Sequence, residues 1–350
     1  MAPNDSGKPI DSMIGPNAEG ALGAVSQDVV WNHDHVLDLD DFLFEEIESV
    51  ISLAGKMREV LDRRIARAPI LRGFTVINLF FEPSTRTRAS FELAGKVLGA
   101  DVISVSANTS SVVKGESLID TVKTLSAMTA DAIVMRHEMS GAPYLASRYT
   151  RASVINAGDG SHAHPTQALL DIYTLKQRLG DLKNKKIVMV GDIAHSRVAR
   201  SGMWGFSAMG AKVVLCGPPT LLPSGFSVNE RPAHARSALP DVDIETDIDV
   251  AIKDADVVMA LRLQKERQQG GLLPSLHEYS RLYQVTSERL SKAKSNHILM
   301  HPGPKNEGIE IGGDVASGSN STIEEQVTNG VAVRMALLYL IAQKNRGRIN

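Results

Sequence analysis

FTVINLFFEPSTRTRASFELAGKVL, residues 74–98, decides how the rest of the chain reads. Thr75 to Phe81 is almost entirely apolar, as a buried strand is. Pro83 stops it, and from Ser84 to Leu98 apolar and polar residues recur at helical spacing. A strand that ends at a proline and restarts as a helix presents several backbone N–H groups together, and their free donors and dipole favour an anion. Ser84, Thr85 and Thr87 add hydroxyls, while Arg86 and Arg88 add guanidinium forks that match the oxygens of a phosphate. The plainer alternative is a capped helix with a solvated basic first turn. Basic residues there oppose the helix dipole, so a compensating anion is the better account.

On both sides of this unit strands and helices alternate. A helix over 40–67 precedes it. DVISVSA, DAIVMR and SVINAGD follow as strands, separated by the helical SLIDTVKTLSAMT and APYLASRYT. A long helix from Pro165 to Leu179 opens a second alternation. Its strands are KKIVMVGD, AKVVLCGPP, DVVMAL and HILMHPGP. Its helices are SRVARSGMWGFSAMG, DIDVAIKDA and a segment from Ser287 to Ala293. A final helix from Ile323 to Ala342 is expected to pack back on the first half. Such order predicts two doubly wound parallel-sheet α/β domains joined by interdomain helices, with ligands at the carboxyl ends of the strands.

At 350 residues two domains are the better expectation, divided near residue 180. A net charge of −2 argues against a nucleic acid or anionic membrane as the main partner. No stretch reaches the roughly 18 apolar residues of a membrane helix. The lone Cys216 excludes an intramolecular disulfide and fits a cytoplasmic protein. Residues 1–33, rich in Gly, Pro, Asn and Ala, read as a disordered extension rather than a leader peptide. His162 and His164 stand too close to Pro165 to form a helical metal pair, so no metal and no cofactor are expected.

Polar residues gather where strands end: Arg136 after DAIVM, His164 and Gln167 after the Gly-rich NAGDGSHA, Arg197 after VMVGDIAHS, Arg262 and Gln264 after VVMAL, and Gly303 and Pro304 after HILM. From about residue 36 onward the chain resembles the aspartate/ornithine carbamoyltransferase family, through STRTR (84–88), HPTQ (164–167) and HPGP (301–304) in that order. The resemblance implies that Ser84, Thr85, Arg86 and Thr87 hold the phosphate of carbamoyl phosphate. Arg136 and His164 would polarise the carbamoyl carbonyl. Gln167 and the Gly303–Pro304 backbone would hold its amide. SSVVKGES resembles a loop that family members lend to a neighbouring subunit. It would supply Lys114, to hold the amine substrate's carboxylates beside Arg197 and Arg262, and either Ser110 or Ser111, with Ser110 preferred, for carbamoyl phosphate. The sites would be completed in a homotrimer.

Arg197, Arg262 and Gln264 suit a dicarboxylic amine, since arginine grips a carboxylate through two parallel hydrogen bonds. Ornithine members carry a cysteine where Pro302 stands, together with an acidic segment not found here. The resemblance therefore implies carbamoyl transfer to the α-amine of L-aspartate, an early step of pyrimidine synthesis. Carbamoyl phosphate would bind first, and electrostatics and positioning would do most of the catalysis. The implied domains are 34–178, with helix 323–350, for carbamoyl phosphate, and 179–322 for aspartate. Regulatory chains or a dihydroorotase as further partners stay open. Retention of all three motifs argues against a silent scaffold. VMVGDIAHSR lacks the glycine spacing of a dinucleotide-binding loop.

Overall fold

The computed structural model describes residues 29–106, 116–223, 239–264, 272 and 275–349. Most of the expected extension, and the loop carrying Ser110, Ser111 and Lys114, lie outside the described residues. After helix α1 (Phe44–Leu61) come β1 (Thr75–Phe80), α2 (Thr85–Leu98), β2 (Asp101–Ser106), α3 (Leu118–Ala127), β3 (Ala132–His137), α4 (Ala142–Ser147) and β4 (Ser153–Asp159). These four strands form a parallel sheet in the order β2-β1-β3-β4. Every residue of β4 is buried, as a strand covered on both faces requires. Gly99 ends α2 with φ +78°, and a Cβ there would meet Pro69 Cα at 2.8 Å, so only glycine turns the chain into β2 at this point.

Helix α5 (Pro165–Leu179) leads into β5 (Lys186–Val190), α6 (Arg197–Ala208), β6 (Lys212–Cys216), β7 (Val242–Glu245), α7 (Ile248–Ile252), β8 (Val257–Ala260), α8 (Leu276–Tyr283), α9 (Ser287–Leu290), β9 (Ile298–Met300) and α10 (Gly313–Ala316). Its sheet is also wholly parallel, in the order β7-β6-β5-β8-β9. The last helix, α11 (Ile323–Ile349), packs against α1, α2 and α5, on the first half of the chain. One apolar core runs through both halves, joining Val76 and Val134 of the first sheet to Ile187 and Met189 of the second.

Three differences from the sequence reading have local causes. Strand β7 and helices α8 and α10 were not expected: β7 is only VDIE, α8 buries only Tyr279 and Tyr283, and α10 is only GDVA. Helix α11 continues through the polar QKNRGRI beyond Ala342, where apolar periodicity gives no signal. Residues 29–33, grouped with the extension on composition, are ordered. Val30 N donates to Ser49 Oγ (3.0 Å), His33 meets Glu46 (2.9 Å), and Trp31 packs edge-on against Phe42.

Strand order fixes where a ligand can sit. In the first sheet the chain winds outward from β1 toward β2 and from β3 toward β4, so the crevice opens beyond the ends of β1 and β3. In the second sheet it opens beyond β5 and β8 by the same rule. No helix among the described residues is long and apolar enough to cross a membrane.

Candidate active site

The two crevices face each other across a single cleft of about 450 Å³. The end of β1 delivers Glu82 and the Ser84–Thr87 turn, and the end of β3 delivers Arg136. From the other half, β5 leads to Ser196 and Arg197, β8 to Arg262 and Gln264, and β9 to His301, Pro302, Gly303 and Pro304. His164 and Gln167, at the start of α5, line it as well. Every expected binding residue that lies among the described residues therefore meets in one place. Ser110 and Lys114 lie outside them.

Two of the helix starts at the cleft lack a side-chain cap. Ser117, Ser196, Asp247, Ser275 and Thr286 each accept a backbone N–H at the start of their helices. Ser84 and His164, the N-caps of α2 and α5, make no such side-chain bond. The first N–H groups of α2 are thereby left without a side-chain acceptor at the edge of the cleft, where an anion can take the cap's place. At α5 the first residue is Pro165, which has no N–H, and Gln167 N donates to His164 O (3.0 Å).

Electrostatics reinforce this. Five arginines line the cleft (Arg86, Arg136, Arg197, Arg262 and Arg334), against one described carboxylate, Glu82. Arg86 has its pKa lowered, first by desolvation and then by the Arg262 cation across the gap. Arg334 is buried beside the ring of Phe91, and burial pushes its pKa down to about 10, so it is still a cation at neutral pH. Gly303 has φ +62°, and a Cβ there would collide with the Arg86 guanidinium. Glycine thus lets the turn after β9 close over the phosphate-type helix end.

Glu82 is the counter-charge. Its Oε2 lies 3.0 Å from Arg136 Nε and 2.8 Å from Arg197 Nη2, so one carboxylate ties a residue of the first half to one of the second. Arg136 Nη1 also donates to Ala157 O (3.2 Å), and Arg197 Nη1 to Gly160 O (3.3 Å). Arg197, expected to grip a substrate carboxylate, is buried and engaged with Glu82 here. Gln264 N donates to Asp192 Oδ2 (3.2 Å), whose other oxygen lies 2.7 Å from His195 Nδ1. His164 N donates to Ser201 Oγ (2.9 Å), which in turn lies 3.4 Å from Asp38 Oδ1. Burial raises the Asp38 carboxyl to about 6, and the Asp159 carboxylate raises the neighbouring His162.

Sequence reasoning did not single out Glu82, Gln326 or Arg334. Glu82 and Arg334 had a legible signal. Glu82 interrupts the passage from an apolar strand to a basic turn, and Arg334 is the lone charge in VAVRMALLYLIA. Gln326 sits in an ordinary polar first turn and gave none.

Two family models match the chain. One, described as the aspartate/ornithine carbamoyltransferase carbamoyl-P binding domain, covers residues 34–177; the other, its Asp/Orn binding domain, covers residues 183–341. The chain is 60% identical over 309 residues to the aspartate carbamoyltransferase catalytic subunit of Roseiflexus sp. (strain RS-1), spanning 88% of this chain and 95% of that one. It superposes with TM-score 0.77 and 30% identity on aspartate transcarbamoylase from Trypanosoma cruzi in complex with carbamoyl phosphate, covering 87% of this chain and 95% of that one. It superposes with TM-score 0.76 and 30% identity on ornithine carbamoyltransferase from Pyrococcus furiosus, covering 87% and 96%. The chain belongs to the aspartate/ornithine carbamoyltransferase family.

Proposed function

We propose that the chain transfers the carbamoyl group of carbamoyl phosphate to the α-amine of L-aspartate, giving N-carbamoyl-L-aspartate and phosphate. The observation that carries this reading is the facing pair of crevices lined by five arginines, with Glu82 the lone described carboxylate and already engaged by two of them. Such a site suits two anionic reactants. An ornithine side-chain ammonium would find cations where it needs an acceptor. The relatives named aspartate carbamoyltransferase, at 55–60% identity, support the same choice.

In this reading Ser84, Thr85, Arg86 and Thr87 hold the phosphate at the start of α2. Arg136 and His164 draw charge from the carbonyl oxygen. Gln167 and the Gly303–Pro304 backbone hold the amide. Arg262, Gln264 and Arg197 take the aspartate carboxylates. Arg197 then exchanges or shares its Glu82 contact, and Ser110 and Lys114 come from a neighbouring subunit of a trimer. The deprotonated amine attacks the carbonyl carbon, the C–O bond to phosphate breaks, and the departing phosphate accepts the amine proton. Acceleration comes from bringing two anions together in fixed geometry and stabilising the oxyanion. Residues 34–178 with 323–350 serve the acyl donor and 179–322 the amine, in a cytoplasmic setting.

The test is a colorimetric assay for carbamoyl aspartate, run in parallel with ornithine as acceptor, and calorimetry with N-phosphonacetyl-L-aspartate. Tight binding and turnover with aspartate alone are expected. Turnover with ornithine instead, or no heat with the bisubstrate mimic, overturns the reading.

A further inference from the structure

Asp171 lies on α5 one helical turn beyond Gln167, 1% exposed and flanked by the buried Leu170 and Ile172. A carboxylate in such surroundings is costly and calls for a reason. Its Oδ1 accepts two hydrogen bonds, from Gln167 Nε2 (3.1 Å) and from Gln326 Nε2 (2.7 Å). Gln326 Oε1 in turn accepts the His301 N–H (3.1 Å), and His301 Nδ1 accepts the Gly303 N–H (2.8 Å).

These bonds fix both amide groups. Reversing Gln326 would set its oxygen against the carboxylate and its NH₂ against a backbone N–H. Reversing Gln167 would set oxygen against oxygen. With one Nε2 hydrogen committed to Asp171, the orientation of the Gln167 amide is set, and its Oε1 is the acceptor it brings to the cleft it lines. An acceptor at that place selects a ligand carrying N–H. We infer that Asp171 is a positioning residue for the acyl donor. It directs Gln167 Oε1 at the carbamoyl NH₂ and, through Gln326 and His301, holds the Pro302–Pro304 turn on the other side of the same group. This rests on the proposed carbamoyl phosphate site and adds how that site tells carbamoyl from acetyl. Burial, which raises Asp171, and the Arg334 cation, which lowers it, oppose each other at this carboxyl, as at a group kept for its hydrogen bonds.

A purely structural carboxylate would, on removal, weaken every ligand alike or only lower stability. The test therefore compares two stable phosphonates by calorimetry: phosphonoacetamide, which keeps the NH₂, and acetonylphosphonate, which has a methyl in its place. Inorganic phosphate is the control. The wild type is expected to prefer the amide by about tenfold, the worth of one or two neutral hydrogen bonds. Asp171→Leu should cut that preference to within about twofold while phosphate affinity holds. Asp171→Asn, whose Oδ1 can still accept from both glutamines, should keep it. Should Asp171→Leu not fold, Asp171→Ala reads the same ratio. A folded Asp171→Leu or Asp171→Ala protein with the full wild-type preference overturns the inference alone. A wild type that binds neither phosphonate overturns the proposed function and this inference together.

Discussion

Replacing Arg86 by methionine should weaken anion binding and leave the free protein no less stable, and the opposite signs make this substitution the most informative. In the unliganded cleft the Arg86 cation is disfavoured twice, by partial desolvation and by Arg262. Removing the charge and keeping an apolar stem of similar reach relieves both, so the ligand-free melting temperature should hold or rise. With a phosphate dianion present the balance reverses. One charge-assisted hydrogen bond is worth roughly 1.5–3 kcal/mol, so the Kd for inorganic phosphate should rise roughly 10- to 150-fold. If Arg86 also stabilises the developing charge, turnover should fall by roughly 10²–10³. At phosphate about 100 times the wild-type Kd, the wild type gains about 2.7 kcal/mol of stability by mass action, and the variant should gain much less. Calorimetry with phosphate reads the affinity, melting with and without it reads the two stabilities, and the carbamoyl aspartate assay reads the turnover. A variant that keeps phosphate affinity within about twofold, or that melts lower without ligand, refutes the reasoning.

Glu82→Gln leaves Arg136 and Arg197 without their shared carboxylate, half-buried at the domain junction. Loss of a partner from a fully buried pair costs about 3–5 kcal/mol, and the partial exposure here reduces that to about 1–2, readable as a lower urea midpoint. Mixing Lys114→Ala subunits with Arg86→Ala subunits should restore part of the activity; mixed oligomers that form yet stay inactive would argue against shared sites. Asp171 is raised to about 7, so between pH 4 and 7 the unfolded chain has released a proton that the native state retains. Stability therefore falls as pH rises through that window, with the Arg334 cation limiting the loss. The Asp171→Asn minus wild-type difference in unfolding free energy should move in the variant's favour from pH 4 to 7. Cys216 is buried, and burial pushes its thiol up to about 12, so Ellman's reagent should find no reactive thiol in the native protein and one after denaturation.

The sequence by itself determined the parallel α/β architecture, because apolar runs such as VINLF and AIVM, each followed by helical periodicity, are local signals. It also determined the strand–proline–helix turn at Ser84 that suits an anion, since a proline, a cap position and guanidiniums in one short segment restrict the chemistry without reference to the rest of the chain. Arg136, His164 and Arg262 were legible because residues at the carboxyl ends of parallel strands converge by topology. Only the tertiary structure decided what the residues around the cleft face. Glu82 meets Arg197 across 115 positions, Asp171 meets Gln326 across 155, and Arg334 reaches the cleft from the last helix. Such pairings depend on how two sheets and α11 pack. The energy that selects them is the cost of leaving buried charge uncompensated, which is a property of the assembled interior and has no counterpart in local sequence.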